Sequence, residues 1–330
     1  MKRRRRARRR KSKIMALDIT SLINTVMTLF IIVVISCIAT KCKLIDEVFT
    51  KGFSTFIICV AQPFMIMSAL SEVEFSLENL KNGFIVTGIG FIVMAVCAAV
   101  ALVSTLKFTS LDEKKICRFG IIFSNSGFMG IPVMKATFGE IGAFYGAFFV
   151  ITFHIVLWTY GMYVLSKGRT DIKVKPLNML VNYGTIPVII GIILYLLPFD
   201  MPVAVKQAMS MLSSICAPGS MIIVGSIIAS MPLKKLFLDK KVYYICAVKL
   251  ILCPALICVL CTVCGLKSEL VYLFTLITAL PTATSCAMYA QKYDIKPDLA
   301  AKISSLTTVF SMATIPLMMY FASLIVSLRG

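Results

Sequence analysis

Apolar stretches long enough to cross a lipid bilayer recur along the whole 330-residue chain, and they constrain its fold more than any other feature. The sequence is 59% hydrophobic and only 15% charged, with a mean hydropathy of +0.92. A transmembrane helix needs about 20 apolar residues, and helices satisfy their own backbone groups in lipid. The sequence therefore predicts an all-α membrane protein with ten spans, at 19–40, 52–71, 83–106, 116–135, 140–165, 177–197, 203–229, 240–265, 269–291 and 298–326.

Two of these spans contain residues that break a helix. Residues 124–132 of the fourth span read SNSGFMGIP, and residues 279–285 of the ninth read ALPTATS. Proline removes a backbone donor and clashes with the preceding turn, while glycine relaxes the local dihedral angles. Broken backbone at membrane depth is tolerated only where it is buried in protein or lines a cavity. Interrupted helices at matching positions of two halves indicate the substrate site of a carrier.

Prolines at corresponding positions suggest that the two halves of the chain are repeats. Pro63 and Pro132 in spans 2 and 4 match Pro218 and Pro281 in spans 7 and 9. Five spans per half is an odd number, so the second half enters the membrane from the opposite side. We therefore predict a 5+5 inverted repeat in which spans 4 and 9 cross near the midplane. Its parts are a first repeat at 15–165, a cytosolic linker at 166–176 and a second repeat at 177–330.

The distribution of positive charge predicts the orientation. The net charge is +19, but ten of the 34 Lys and Arg residues lie between Lys2 and Lys13. Of the others, 18 lie in or beside the odd-numbered joints, and five lie in the even joints and at the C-terminus. The positive-inside rule then places the odd joints in the cytoplasm. This clustering favours the membrane over nucleic acid as the partner of the basic residues.

The basic tail at residues 1–14 conflicts with the extracytoplasmic N-terminus that ten spans imply. Two interpretations stay open. The first span is inverted, or the tail is not part of the natural protein, which would then begin at Met15. The consistent bias of the joints favours the second interpretation.

The predicted substrate site consists of polar and helix-breaking residues at the two interruptions. Asn125 is the first candidate, because an amide in hydrocarbon needs a partner and can donate to a carboxylate. The structural alternative is that Asn125 caps the half-helix that follows it. Gln62, beside Pro63, either faces the same cavity or bonds to the backbone that Pro63 frees. The remaining candidates are Ser126, Gly127, Gly130 and Pro132 at the first break and Pro281, Thr282, Thr284 and Ser285 at the second.

Two ionisable residues within spans are candidates for coupling or for a counter-charge. His154 is the only histidine, and its charge changes near neutral pH. Its structural alternative is a neutral ring bonded to a neighbouring helix. Lys249 either balances the charge of the substrate or extends to the membrane interface. The spacing of Cys258, Cys261 and Cys264 fits helix packing better than a metal site, since no second ligand cluster accompanies it. We predict no metal and no cofactor.

The residues at the two breaks resemble the auxin efflux carrier family, which includes bacterial malate and malonate permeases and the plant PIN-FORMED carriers. The matching motifs are Asn125 with residues 129–132 (MGIP), Lys135 and residues 138–140 (FGE); residues 157–161 (LWTYG); Lys249 with Pro254; and residues 279–281 (ALP), 289–294 (YAQKYD) and 297–298 (PD). The similarity runs from about residue 17 to the C-terminus. Two differences separate the chain from the plant carriers. Its linker is short, and Thr284-Ser285-Cys286 replaces a second proline, which argues against an aromatic, auxin-like substrate.

The resemblance implies a homodimer of ten-helix protomers in the plasma membrane. Spans 1, 2, 6 and 7 would form a scaffold, and spans 3–5 and 8–10 would move across it as an elevator. The implied function is secondary transport of a small organic anion such as a mono- or dicarboxylate, with H⁺ or Na⁺ as a candidate coupling ion.

Other classes of function find less support in the sequence. There is no P-loop and no soluble domain, so ATP does not drive transport directly. An intramembrane protease needs a Ser–His pair or two aspartates within spans, and the spans lack central Asp and Glu. An enzyme is therefore not expected. Two alternatives stay open, a sodium-coupled organic-anion symporter of the bile-acid type and a sensor that binds a ligand without moving it.

Overall fold

The computed structural model describes residues 19–168, 184–197, 201–230 and 239–329. The basic tail at 1–14, most of the predicted linker at 166–176 and the first part of the predicted sixth span lie outside these ranges. The described chain is built from helices, whose bounds are α1 Ile19–Lys41, α2 Glu47–Ser71, α3 Leu77–Ser104, α4 Leu111–Ile122, α5 Ile131–Phe138, α6 Glu140–Ser166, α7 Thr185–Leu196, α8 Val203–Ser230, α9 Lys240–Val263, α10 Ser268–Ala279, α11 Ser285–Lys292 and α12 Pro297–Ser327.

Seven of these helices are long and apolar enough to cross a membrane, within the part of the chain that the structure describes. They are α1, α2, α3, α6, α8, α9 and α12. They correspond to predicted spans 1, 2, 3, 5, 7, 8 and 10, so the prediction of a multi-span helical protein is confirmed. The total of ten crossings stays a prediction.

The other three predicted spans contain shorter helices. The region of the fourth span holds α4, a π-helical turn at Ser126–Gly130 and α5. The region of the ninth holds α10 and α11, separated by residues 280–284. The described part of the sixth is α7, which has 12 residues. The predicted boundaries at 116–135 and 269–291 therefore do not delimit continuous helices.

Several helices begin earlier than hydropathy predicts. The spans predicted to start at 52, 83 and 116 start at Glu47, Leu77 and Leu111. In each case the preceding residue, Asp46, Ser76 or Ser110, is an N-cap whose side chain accepts a hydrogen bond from the first turn. Capping favours a helix start even when the first turn is polar. The average hydropathy over a window misses such turns because their residues are polar and lie at the end of the span.

π-helical turns precede three prolines. They occupy Ile57–Ala61 before Pro63, Ser126–Gly130 before Pro132, and Val248–Leu252 before Pro254. Proline cannot donate to the carbonyl four residues earlier and its ring clashes there. A wider turn accommodates this defect, and such turns are frequent at functional sites.

Helix packing brings distant parts of the chain together. α1 packs on α8, and α2 packs on both α7 and α8. α3 packs on α6, while α9 and α10 pack on each other and on α12. The chain that follows α4 meets the chain that follows α10 within this assembly.

Candidate functional site

The two interruptions meet in space. Ser124 and Thr282 form an isolated antiparallel β-bridge. The Asn125 N–H donates to the Pro281 carbonyl and the Ala283 N–H donates to the Phe123 carbonyl, each at 2.8 Å. Backbone groups that lose their helical partners at one interruption therefore pair with those of the other. Such pairing removes the main cost of non-helical backbone in a buried position.

Glycines and prolines shape the chain beside this crossing. Pro132 lies in the first turn of α5, where no backbone donor is required. A Cβ at Gly130 would lie 2.8 Å from the Leu280 side chain, so a larger residue there would push the two interruptions apart. Pro281 accepts the bridging hydrogen bond described above. These candidates hold the crossing through backbone shape.

Thr282 is anchored by two further helices. Its N–H donates to Thr307 Oγ1 at 3.2 Å, and its hydroxyl donates to the Gly120 carbonyl at 2.8 Å. Thr282 therefore has a structural role whether or not it touches a substrate. Thr307, which lies in α12, was not among the predicted site residues. The polar run of Ser304, Ser305, Thr307 and Thr308 inside an apolar span was the available signal.

Asn125 is buried at the start of the π-helical turn. Its backbone carbonyl accepts hydrogen bonds from Met129 and Gly130. Its side chain does not cap the following turn, so the structural alternative for this residue is not what the structure shows. The amide stays a candidate for ligand binding.

Three predicted hydroxyl groups also lie beside the crossing. The side-chain oxygens of Ser126, Thr284 and Ser285 are buried and have no hydrogen-bond partner among the described residues. Buried hydroxyls normally find partners. A polar ligand could complete the hydrogen bonding of these groups.

Gln62 approaches the crossing from α2. It is buried, and a Cβ at Gly127 would lie 2.7 Å from its Nε2 atom. Gly127 therefore leaves the space that the Gln62 amide occupies. The structure brings these two predicted residues together although 65 positions separate them in the sequence.

Lys249 reaches the same place from α9. Its side chain is fully buried, and Nζ donates to Ser124 Oγ at 2.6 Å. The alternative in which Lys249 extends to the membrane interface is therefore wrong. Ser124 was not among the predicted site residues, although it lies in the helix-breaking run.

His154 is partly exposed, its two ring nitrogens are buried, and it lies next to Phe153 and Gly184. Both ring nitrogens lack a hydrogen-bond partner among the described residues. The bond to a neighbouring helix that the structural alternative requires is therefore not present in the described chain. Phe153, which contacts the His154 ring, packs on Phe123 of the first interruption.

An ion-pair cluster lies at one end of the helices. Lys135 contacts Glu72 at 2.7 Å and Glu140 at 3.0 Å, which ties α5 to the ends of α2 and α6. Burial raises the pKa of Glu72, the hydrogen bond from Lys135 opposes this shift, and Glu140 adds to it. Lys135 is therefore shared between two carboxyl groups.

The described residues include no group of three or more His, Cys, Asp or Glu side chains that could hold a metal ion. Cys258 and Cys261 are buried, whereas Cys264 is exposed, and all three are free thiols. α9, which carries them, packs against α10 and α12.

Comparison with known proteins agrees with the architecture. The family described as "Membrane transport protein" matches residues 21–182 and 172–319. A Rhizobium meliloti (strain 1021) protein named "Putative malonate transporter" is 25% identical over 277 residues, which cover 81% of this chain and 85% of the relative. Together with the apolar helices, these matches identify a multi-pass transporter of the plasma membrane and not an enzyme. The chain belongs to the membrane transport protein family, the auxin efflux carrier family that its two interrupted regions resemble.

Proposed function

We propose that this protein is a secondary transporter that moves a small organic anion, a mono- or dicarboxylate, through a site at the crossing of the two interrupted regions. The observation that carries the proposal is the Ser124–Thr282 bridge, where buried backbone leaves the helical pattern. Irregular backbone in a carrier is typical of a substrate site. The malonate named in the relative's title fits this chemistry.

The polar groups around the bridge suit a carboxylate. The Asn125 amide can donate to an oxygen anion, and the unpartnered hydroxyls of Ser126, Thr284 and Ser285 can add further donors. Gln62 approaches from α2 and would complete the site. Gly127, Gly130, Pro132, Pro281 and Thr282 would hold the backbone geometry that positions these donors.

The packing pattern supports the proposed inverted repeat. Exchanging the two halves relates α1 to α7, α2 to α8, α3 to α9 and α6 to α12. The contact of α1 with α8 then becomes that of α7 with α2, and α3 with α6 becomes α9 with α12. The contact of α1 with α12 likewise becomes that of α7 with α6. A two-fold axis in the membrane plane accounts for these pairs.

Contacts between helix ends support ten crossings. Side chains near even-numbered joints contact other even joints, and those near odd joints contact other odd joints. We infer that α4 with α5 crosses the membrane once, as does α10 with α11, because only then do the joints alternate sides. The contacts are Glu72 with Lys135 and Ser76 with Tyr195 at the even joints, and Glu113 with Lys241 and Asp239 with Lys302 at the odd joints.

The proposed mechanism is an elevator. α1, α2, α7 and α8 would form the scaffold, and the other helices would carry the crossing past it. The first repeat at 15–165, the linker at 166–176 and the second repeat at 177–330 would contribute to both domains. A homodimer would join two scaffolds, and H⁺ or Na⁺ would be the candidate coupling ion.

Uptake by purified protein in liposomes tests the proposal. Malonate and a panel of mono- and dicarboxylates would be offered with and without pH and sodium gradients. Uptake of small carboxylates supports the proposed carrier, and the response to the two gradients identifies its coupling ion. Sodium-dependent uptake of bile acids in place of small carboxylates would favour a symporter of the bile-acid type. Binding without uptake or counterflow would indicate a sensor and contradict transport.

A further inference from the structure

We propose that Lys249 is the fixed positive charge of the transport site and that it sets the charge of the cargo by pairing with one carboxylate. This inference rests on the proposed function and names the recognition element for the substrate class. Lys249 lies in the π-helical turn Val248–Leu252 of α9, which precedes Pro254.

The wider turn and the proline place a lysine in the protein interior. Lys249 is fully buried, and its Nζ lies 2.6 Å from Ser124 Oγ. Ser124 is itself the bridge partner of Thr282. A single side chain of α9 therefore contacts the point where the two interruptions meet.

Lys249 forms no ion pair with any side chain of the described residues. No ion pair joins it to a carboxylate of the described residues, and the titratable side chains that face it are the Cys97 and Cys253 thiols. Lys115 is buried too, but its Nζ pairs with Asp112 at 2.9 Å. A buried ammonium is costly unless it is paired and hydrogen-bonded. The missing partner of Lys249 is an anion.

The Lys249 ammonium also has N–H donors that Ser124 does not engage. A lysine carries three N–H groups, and one of them is engaged by Ser124. The remaining donors can bind a carboxylate oxygen, and the neutral donors of Asn125 and the neighbouring hydroxyls can bind the other. A carboxylate of the cargo would thus satisfy groups that the described protein residues leave unpaired.

This arrangement has a consequence for selectivity. One lysine neutralises one carboxylate, so a monocarboxylate would cross as a neutral complex and a dicarboxylate with one uncompensated charge. Neutral and cationic analogues would meet an unpaired buried ammonium and would be rejected. The lysine would therefore discriminate by charge, whereas the shape of the site would discriminate by size.

Malonate binding to the purified full-length protein tests the inference. Binding would be measured as the concentration-dependent rise of the unfolding temperature, beside uptake in liposomes. Lys249→Met, which keeps the length without the charge, should weaken malonate binding by at least about tenfold, because a charge-assisted hydrogen bond is lost. Lys249→Arg should retain binding. Lys115→Met is the matched control, a buried lysine outside the crossing, and should bind malonate as the wild type does.

The ligand-free stability of Lys249→Met separates binding from folding. Removing an unpaired buried charge should leave the unfolding temperature of the ligand-free protein equal or higher. Wild-type malonate affinity in a folded Lys249→Met variant would overturn the inference, as would a loss of stability with unchanged affinity. If the wild type neither binds nor transports any carboxylate of the panel, the proposed function itself fails.

Discussion

Side chains at the crossing fall into two groups. Some are hydrogen-bonded within the protein, and others have polar atoms with no hydrogen-bond partner among the described residues. Thr282 belongs to the first group, because both its N–H and its hydroxyl are bonded within the protein. Ser126, Thr284 and Ser285 belong to the second. Asn125 is buried and does not cap the turn that it begins. Substitutions in the second group should therefore affect transport more than stability.

Asn125→Ala tests this division at its most informative position. We expect uptake of malonate to fall by about tenfold or more, because a donor to a carboxylate is removed. Thermal unfolding should change little, since the amide does not cap the turn. Asn24→Ala, an exposed asparagine in α1, is the control and should leave uptake unchanged. Normal uptake by Asn125→Ala would remove this residue from the site, and loss of folding would restore the capping role.

Among the helices, two kinds of contact fix how separate elements meet. The Ser124–Thr282 bridge joins the region after α4 to the region after α10. The cluster of Glu72, Lys135 and Glu140 joins the ends of α2, α5 and α6. The first contact is buried backbone and the second is partly exposed charge. They should respond differently to mutation and to pH.

A disulfide would report the bridge directly. The hydrogen bonds that flank Ser124 and Thr282 mark them as a non-hydrogen-bonded antiparallel pair, whose Cα atoms lie about 4.5 Å apart. That separation lies within disulfide reach. Ser124→Cys with Thr282→Cys, in a background without the twelve native cysteines, should oxidise to a cross-link within one protomer. A link that forms only between protomers, or none at all, would contradict the crossing.

The charge cluster predicts a dependence of stability on pH. The pKa of Glu72 is raised, mainly by burial, so the folded protein holds this proton more tightly than the unfolded chain does. The stability contributed by protonated Glu72 is therefore lost as pH rises through its folded-state pKa. Glu72→Gln should be as stable as the wild type or slightly more stable at neutral pH, by about 1 kcal/mol or less. The difference should vanish in acid.

Lys135→Met is the opposing variant for the same measurement. It leaves Glu72 and Glu140 without their shared cation. Its unfolding temperature should fall at neutral pH and recover as Glu72 becomes protonated. A pH profile of Lys135→Met parallel to that of the wild type would show that the cluster does not govern stability.

At the scale of the molecule, the distribution of charge and the contacts between helix ends both support the proposed topology of ten crossings. The odd joints carry 18 basic residues and the even joints with the C-terminus carry five. Contacts such as Glu113 with Lys241 and Asp239 with Lys302 join odd joints to each other. Two independent observations, one from composition and one from side-chain geometry, thus agree on which helix ends share a side.

The orientation can be tested at the C-terminus. A reporter fused after Gly330 should be extracytoplasmic, because ten crossings with cytoplasmic odd joints place this end outside. A fusion within residues 231–238, in the seventh joint, should report the cytoplasm and serves as the control. A cytoplasmic signal from both fusions would contradict the three crossings that we predict between the seventh joint and Gly330.

Much of the helical framework could be predicted from the sequence, because lipid requires each backbone to satisfy its own hydrogen bonds within a local apolar segment. Seven predicted spans correspond to long apolar helices. The two regions in which helices are interrupted could also be predicted, because glycine and proline disturb the helix locally. Helix starts were less accurate, because caps such as Asp46 and Ser76 are polar and escape a hydropathy window.

The composition of the site was decided by the tertiary structure. Lys249 and Ser124 are 125 positions apart and meet only because α9 packs beside the crossing. Thr307 supports Thr282 from a third helix. Side-chain partners of this kind depend on which helix faces which, and packing between helices sets that choice. Local sequence determines where the chain becomes irregular, whereas the fold determines which polar groups gather there.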